Sequence, residues 1–481
     1  MSRTDLTTFT DFYQPTMMYG YFKSGKMNEE VVFDLFFRKN PFGNGFTIAA
    51  GLETLVNYIK NLSFSHEDID YFKSLNAFED ENFFKELRNF RFTGDIHAVP
   101  EGTIVFPNEP LVRVKTRLFE AQLVETALIN FIGHQTLIAT KANRVVRAAH
   151  GKDVLEFGAR RAQGEDSATL GARAAIIGGC VSSSNVKAGK DFGIKISGTH
   201  AHSWVMDFDT EYEAFSTYAS VLPDNLILLV DTYNVLKSGL PNAIKVFEET
   251  HQRLGRAPKK FGIRLDSGDL AYLSKESRKM LDAAGFKDAK IVASNDLDEY
   301  TIRELESQGA EIDIYGVGTK LITAYDQPAL GAVYKLAAKK VNDEWVPRIK
   351  RSENIEKVTN PGVKKVVRFI DQNDGKAVVD LIMLENEEIP SQPFEVFDQV
   401  HTWKRKIVNG ANHIELLKPI FVEGKLVYEL PTLDEIVNNV KLNLSMFSEE
   451  NIRFSNPHEY HVDLSQNLWN IKMDLLKKTN F

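Results

Sequence analysis

The chain has 481 residues, with 58 Lys and Arg against 66 Asp and Glu and a formal net charge of -8. That length suggests about three domains, and a composition of 43% hydrophobic and 26% charged residues excludes wholesale disorder. The acidic balance argues against a general nucleic-acid binder, which needs a basic face. One cysteine, Cys180, excludes an intrachain disulfide, and no Cys/His cluster has zinc spacing. The first residues, MSRTDLTTFTD, are polar and do not read as a signal peptide. No apolar run approaches the ~20 residues that span a bilayer. The expectation is a cytoplasmic protein with no membrane partner.

In chain order, residues 1–125 contain a helix opened by Pro15, a strand at 31–37 and turn-rich extended segments through Pro100 and Pro110. They read as an amino-terminal α/β domain. Within it, Gly20 to Lys26 (GYFKSGK) nearly matches a Walker A loop. Met27 stands where a magnesium-binding hydroxyl is required and the segment follows a helix, so it is rejected.

Residues 126–340 alternate short apolar runs with helical stretches. The runs lie at 154–157, 175–177, 194–196, 226–230, 261–265, 290–293, 312–315 and 333–336, with helices at 242–254, 270–284 and 297–308 between them. In the middle helix Leu270, Leu273, Met280, Leu281 and Ala284 recur at helical spacing, which predicts one buried face. Such alternation reads as a parallel sheet covered on both faces, and eight runs suit a closed (β/α) barrel better than an open sheet. Residues 341–481 mix strands and helices, punctuated by Pro347, Pro361 and Pro390, and form a carboxy-terminal α+β region.

A polar cluster follows nearly every run. A parallel barrel brings the carboxyl ends of its strands to one rim, where ligands bind. Each cluster has a plain alternative as a helix cap or turn. Arg264-Leu265-Asp266-Ser267-Gly268-Asp269 sets a cation and two carboxylates at a strand end. Arg264 could grip a carboxylate or phosphate; Asp266 or Asp269 could hold a ribose hydroxyl or, through water, a magnesium ion. The alternative is an internal ion pair with Ser267 or Asp269 as cap. Gly316-Val317-Gly318-Thr319 offers backbone N–H groups suited to a phosphate, although a tight turn also needs such glycines. Thr199-His200-Ala201-His202 carries two imidazoles but no third ligand at metal spacing. Phe157 and Arg160 could stack on a flat ring and bind its negative substituent, or be core and surface respectively. The stretch 348–368 has seven basic residues against two acidic ones, a solvated hairpin or a lid over polyphosphate. There is no G-x-G-x-x-G, H-E-x-x-H or G-x-S-x-G.

Taken together, these motifs resemble the nicotinate phosphoribosyltransferase family nearly end to end. The resemblance runs through Thr10 to Gln14, Phe33 to Lys39 with Pro41-Phe42-Gly43, and Glu156 to Arg161. It continues through Gly198 to His202, Arg264 to Asp269, Ser294-Asn295-Asp296, the Gly-Val-Gly-Thr turn, and Ser352-Glu353-Asn354 with Lys357 and Pro361-Gly362. It implies transfer of phosphoribose from 5-phosphoribosyl 1-pyrophosphate to nicotinate, coupled to ATP hydrolysis through a phosphohistidine. It also implies an irregular α/β barrel beside an amino-terminal domain, Mg2+ held through pyrophosphate, and a homodimer. The phosphohistidine falls on His202, with His200 at a variable position. Thr199 and Arg264 match nicotinate contacts, Phe157 stacks on the ring with Arg160 assisting, and Tyr13 covers its other face from the neighbouring subunit. Gly318 and Thr319 match the phosphate end of the sugar substrate, and Asp266, Asn295 and Asp296 its ribose and phosphates. Ser184 stands where nicotinamide-using relatives carry an acid, and a neutral residue there suits an anionic ring. The rival readings are a nicotinamide-using enzyme on the same scaffold, a barrel lyase or isomerase acting on a sugar phosphate, and a non-catalytic paralogue.

Overall fold

The computed structural model describes residues 6–354 and 357–478. The chain divides into two compact units, Met1–Leu137 with Ala329–Phe481, and Ile138–Pro328. No described helix is long and apolar enough to cross a membrane.

The Ile138–Pro328 unit is built on six parallel strands: β1 (Asp153–Glu156), β2 (Ser182–Ser183), β3 (Leu226–Leu229), β4 (Phe261–Leu265), β5 (Lys290–Ala293) and β6 (Ile314–Val317). Their order is β2-β1-β6-β5-β4-β3, a curled half-barrel. Central strands such as β5, with Ile291, Val292 and Ala293 all buried, are apolar on both faces, as a doubly covered parallel sheet requires.

The sheet departs from the eight-run reading in three places. Residues 175–177 end the helix Glu165–Ile177 instead of forming a strand. Residues 333–336 open an antiparallel strand, Val333–Val341, that pairs with Glu30–Phe36 in the other unit's sheet. The run 194–196 contributes only a parallel bridge from Ile196 to Ser183. The sheet is therefore a half-barrel and not a closed ring of eight.

Helices Leu240–Leu254, Leu270–Ala283 and Glu299–Ser307 follow β3, β4 and β5. Asp269 caps the second by accepting from the Tyr272 N–H at 3.0 Å, and Asp298 caps the third through the Thr301 N–H at 2.7 Å. The buried face of Leu270–Ala283 is Leu270, Ala271, Ser274, Ser277 and Leu281, whereas Leu273, Met280 and Ala284 are only half-buried. Small serines occupy the face because the helix packs on β4 and β5.

The other unit carries a seven-stranded antiparallel sheet containing Glu30–Phe36, Val112–Arg117 and Asp95–Ala98. A four-stranded sheet there contains Lys364–Asp371 and Ala377–Leu384. Two cations of the basic stretch serve its core. Lys364 pairs with Asp34 at 2.6 Å, and fully buried Arg368 pairs with Asp380 at 2.5 Å and donates to the Ile104 carbonyl. Neither residue belongs to a solvated hairpin or a lid. Removing one partner of such a pair costs about 3–5 kcal/mol, because it strands the other charge. Residues 355 and 356 of that stretch lie outside the described residues.

Candidate active site

The carboxyl ends of the six strands gather the polar clusters, and Arg264, the fourth residue of β4, is their hub. Its Nε donates to Ser294 Oγ at 2.8 Å, Nη1 to Thr199 Oγ1 at 3.1 Å and Nη2 to Asp266 Oδ1 at 2.9 Å. Ser294 Oγ donates in turn to Asp266 Oδ1. A guanidinium has five N–H groups in a planar fork. Three are used here, so one on each Nη is left for a ligand. The arginine is thus oriented by the ends of β4 and β5 and by the loop carrying Thr199.

His202 begins the short helix His202–Met206. Its Nδ1 lies 3.1 Å from Thr232 Oγ1, while its Nε2 lies 4.0 Å from Asp231 Oδ1 and 3.8 Å from Asp266 Oδ2. The Asp231 side chain is only 2% exposed. Its Oδ2 accepts from the Asp266 N–H and the Ser267 hydroxyl at 2.9 and 2.6 Å. Its Oδ1 is buried without a hydrogen-bond partner. A buried carboxylate oxygen in that condition asks for a cation or a proton donor. Ser267 therefore serves Asp231, and Asp269 is the helix cap.

Phe157 follows β1 and is half-buried rather than core, with the Arg264 guanidinium 5.8 Å from its ring centre. Gly316, inside β6 rather than in the turn after it, makes room for that ring. A Cβ there would stand 2.7 Å from two Phe157 ring carbons. Beneath Phe157, buried Glu156 accepts from the Gly158 N–H and the Ser183 hydroxyl, and burial raises its pKa. It ties the loops carrying Phe157 and Ser184 together, since the Ser184 N–H also bonds the Glu156 carbonyl.

On the other flank, Asn295 and Asp296 are exposed at positive φ (89° and 35°) after β5. Gly318 and Thr319 follow β6 and lead into a single turn, Thr319–Ile322. Lys320 pairs with Asp298 at 2.6 Å, linking these two loops. A cavity of about 710 Å³ occupies the inside of the half-barrel, lined by Phe157 and Thr199 at one end and by Asp153, Asp224 and Lys290 at the other. Its size suits a small organic ligand. The other unit has a cleft of about 510 Å³ lined by His401, His458 and His461. None of the sequence-derived candidates lines it.

The half-barrel does not gather every candidate at this hub. Arg160 stands exposed on the turn Ala159–Arg161. Tyr13 belongs to the other unit, where it begins the helix Tyr13–Lys23, half exposed, its hydroxyl accepting from Gln14 Nε2 at 3.0 Å. Asp231, Thr232, Ser294 and Glu156 carry geometric weight, although the sequence marks them only as members of polar clusters or motifs and gives none of them a role of its own. Their only signal was a polar residue at or just beyond a strand's end.

Comparison with known proteins fixes the lineage. The chain is 49% identical over 469 residues to the nicotinate phosphoribosyltransferase of Bacillus subtilis, covering 97% of this chain and 94% of that one. It belongs to the nicotinate phosphoribosyltransferase family. Models of that family match residues 153–374, with its N-terminal domain at 8–133 and its C-terminal domain at 363–472. The human nicotinate phosphoribosyltransferase is 34% identical over 520 residues, covering 95% of this chain and 94% of that one. The crystal structure of human nicotinic acid phosphoribosyltransferase superposes with a TM-score of 0.85 at 31% identity, covering 97% of this chain and 99% of that one. A nicotinate-nucleotide pyrophosphorylase from Pyrococcus furiosus shares the fold, with a TM-score of 0.68 at 23% identity and 92% and 95% coverage. In nicotinate phosphoribosyltransferase terms, the matched segment 153–374 contains the whole half-barrel and every residue around Arg264.

Proposed function

We propose that the chain transfers phosphoribose from 5-phosphoribosyl 1-pyrophosphate to nicotinate, yielding nicotinate mononucleotide and pyrophosphate, coupled to hydrolysis of ATP to ADP and phosphate. The observation that carries this reading is the Arg264 fork, with two N–H groups unspent, beneath the half-buried ring of Phe157. A planar aromatic carboxylate is what that pair of groups recognises: two parallel N–H···O bonds for the anion and a ring face for the ring. Thr199 and neutral Ser184 complete that end, and Arg160 assists from the exposed turn.

In the transfer, the pyridine nitrogen's lone pair forms the bond to C1 of the sugar. The C1–oxygen bond breaks and its electrons leave with pyrophosphate. The ring nitrogen is a weak nucleophile, so alignment by Phe157 and Arg264 supplies much of the rate. Gly318, Thr319, Asn295 and Asp296 hold the phosphates and ribose, with Asp266 near the reacting carbon.

Two carboxylates, Asp231 with its unpartnered Oδ1 and Asp266, fit a divalent cation that takes its remaining ligands from phosphate oxygens and water. Among the described residues no three His, Cys, Asp or Glu side chains are grouped to hold a metal ion unaided, so the pyrophosphate would complete the set. Bound Mg2+ would neutralise charge on the leaving group.

His202 takes the γ-phosphoryl group of ATP on a ring nitrogen: an N–P bond forms, the bridging O–P bond breaks, and ADP leaves. Asp231 and Asp266 so close to the ring make a phosphoryl group there electrostatically costly, which favours its transfer to water. A homodimer completes the site with Tyr13 of the partner subunit. Exposed Phe12, Tyr13 and Met17 at the start of one helix support such a face. The ATP step is tested with His202→Ala, which should keep slow transfer but abolish nicotinate-stimulated ATP hydrolysis. Unchanged stimulated hydrolysis would remove His202 from that role.

A further inference from the structure

Strand β3 has β4 on one side and, among the described residues, no strand on the other. Its Leu229 N–H is nonetheless satisfied, donating to Nε2 of His200 at 3.2 Å, although Leu229 is only 1% exposed. Since that N–H is the donor, Nε2 carries the lone pair and the ring proton sits on Nδ1, which faces the Ala201 carbonyl at 3.4 Å. His200 is 8% exposed, its ring edge-on to Tyr218 at 4.9 Å and tilted against Phe215 at 6.0 Å. An imidazole thus stands where a further strand would pair.

The position matters because of its neighbours. Thr199, one residue before, accepts from Arg264 Nη1 and itself bonds the His200 carbonyl at 3.2 Å. His202, two residues after, meets Thr232 just beyond β3. Leu229 is also the register partner of Arg264 across β3 and β4. One side chain therefore joins the loop to the strand that fixes both of its functional ends.

We infer that His200 is a positioning residue for phosphoribosyl transfer: its ring clamps the Thr199–His202 loop to the open edge of β3, setting Thr199 against Arg264 and His202 against Thr232. Burial, with smaller contributions from Arg264 and His202 and against the opposing pull of the Ala201 carbonyl, holds its pKa down to about 4, so the ring stays neutral and keeps its acceptor at neutral pH. The inference rests on the transferase reading above, because the groups it positions are those assigned to nicotinate and to the phosphoryl group.

The test uses two variants of the full chain. His200→Phe keeps an aromatic ring against Phe215 and Tyr218 but has no acceptor. His200→Gln restores an amide oxygen near the place of Nε2. The Phe variant should raise KM for nicotinate and lower kcat, together by about tenfold or more, since a misplacement near 1 Å can cost up to about a hundredfold. The Gln variant should recover most of the loss. A merely structural role would lower the melting temperature and leave KM and kcat of the folded protein alone. A Phe variant within about twofold of wild type in both constants, or a Gln variant no better than Phe, overturns the inference. Hydrogen exchange at the Leu229 amide of the wild-type chain gives an independent reading should the Phe variant not fold. Protection supports the clamp, and exchange at the rate of an open strand edge overturns it. If the wild-type chain forms no nicotinate mononucleotide, the transferase reading fails instead, and the exchange result still judges the clamp.

Discussion

Replacing Arg264 with lysine keeps the charge and removes the fork. In the wild-type site three N–H groups are held by Ser294, Thr199 and Asp266, and two remain for a carboxylate. Lysine has three donors on one atom and cannot serve the protein partners and a bidentate anion together. A hydrogen bond to a charged group is worth about 1.5–3 kcal/mol. The retained charge offsets part of the loss of two such bonds, leaving a deficit of roughly 3 kcal/mol, or about a hundredfold in kcat/KM. Steady-state kinetics with nicotinate varied at saturating phosphoribosyl pyrophosphate reads this directly. KM for phosphoribosyl pyrophosphate should move far less, because the place proposed for its phosphates is the Gly318-Thr319 turn. A variant within about threefold of wild type for nicotinate would refute the argument that the fork, and not charge alone, recognises the substrate.

Two further expectations concern packing and pH. Gly316→Ala places a methyl 2.7 Å from the Phe157 ring, so the ring must shift; nicotinate KM should rise while the circular dichroism spectrum is retained, and an unchanged KM would separate Phe157 from ring binding. Asp463 is buried, its Oδ2 without a hydrogen-bond partner and 4.0 Å from His461 Nδ1, and burial together with the Asp398 charge, against the Lys406 charge, raises its pKa to about 6. A raised carboxyl contributes stability that is fully present below its ordinary value near 3.9 and lost as pH rises through about 6, a difference of roughly 3 kcal/mol. Asp463→Asn should therefore raise Tm at pH 8 and have little effect at pH 4; a lowered Tm at pH 8 would contradict this.

The parts of this fold legible in the amino-acid sequence were those set by local pattern. Strands β4 and β5 run from Phe261 to Leu265 and from Lys290 to Ala293, as the apolar runs and their flanking turns suggest. Residues 175–177 were misread because a short apolar run is the same string in a buried helix end as in a strand. Residues 333–336 do form a strand, but periodicity is silent on direction and partner, and theirs is antiparallel to Glu30–Phe36. Lys364 and Arg368 looked like surface charge because their partners Asp34 and Asp380 belong to other strands. The meeting of Arg264, Ser294 and Asp231 follows from one rule, that parallel strands present their carboxyl ends together, whereas Thr199 and His202 reach them from a loop that follows only a bridge at Ile196. Asp231 stands in one of the clusters after the apolar runs, but its place beside His202 is not legible there, because an acid after a strand usually caps a helix.

The central claim is tested most directly by product identity. The purified chain is incubated with labelled nicotinate, phosphoribosyl pyrophosphate and Mg2+, with and without ATP, beside a parallel reaction in which nicotinamide replaces nicotinate. The account expects nicotinate mononucleotide and pyrophosphate in equal amounts, faster with ATP, and little product from nicotinamide. Absence of the mononucleotide under all of these conditions, or preferential use of nicotinamide, would contradict it.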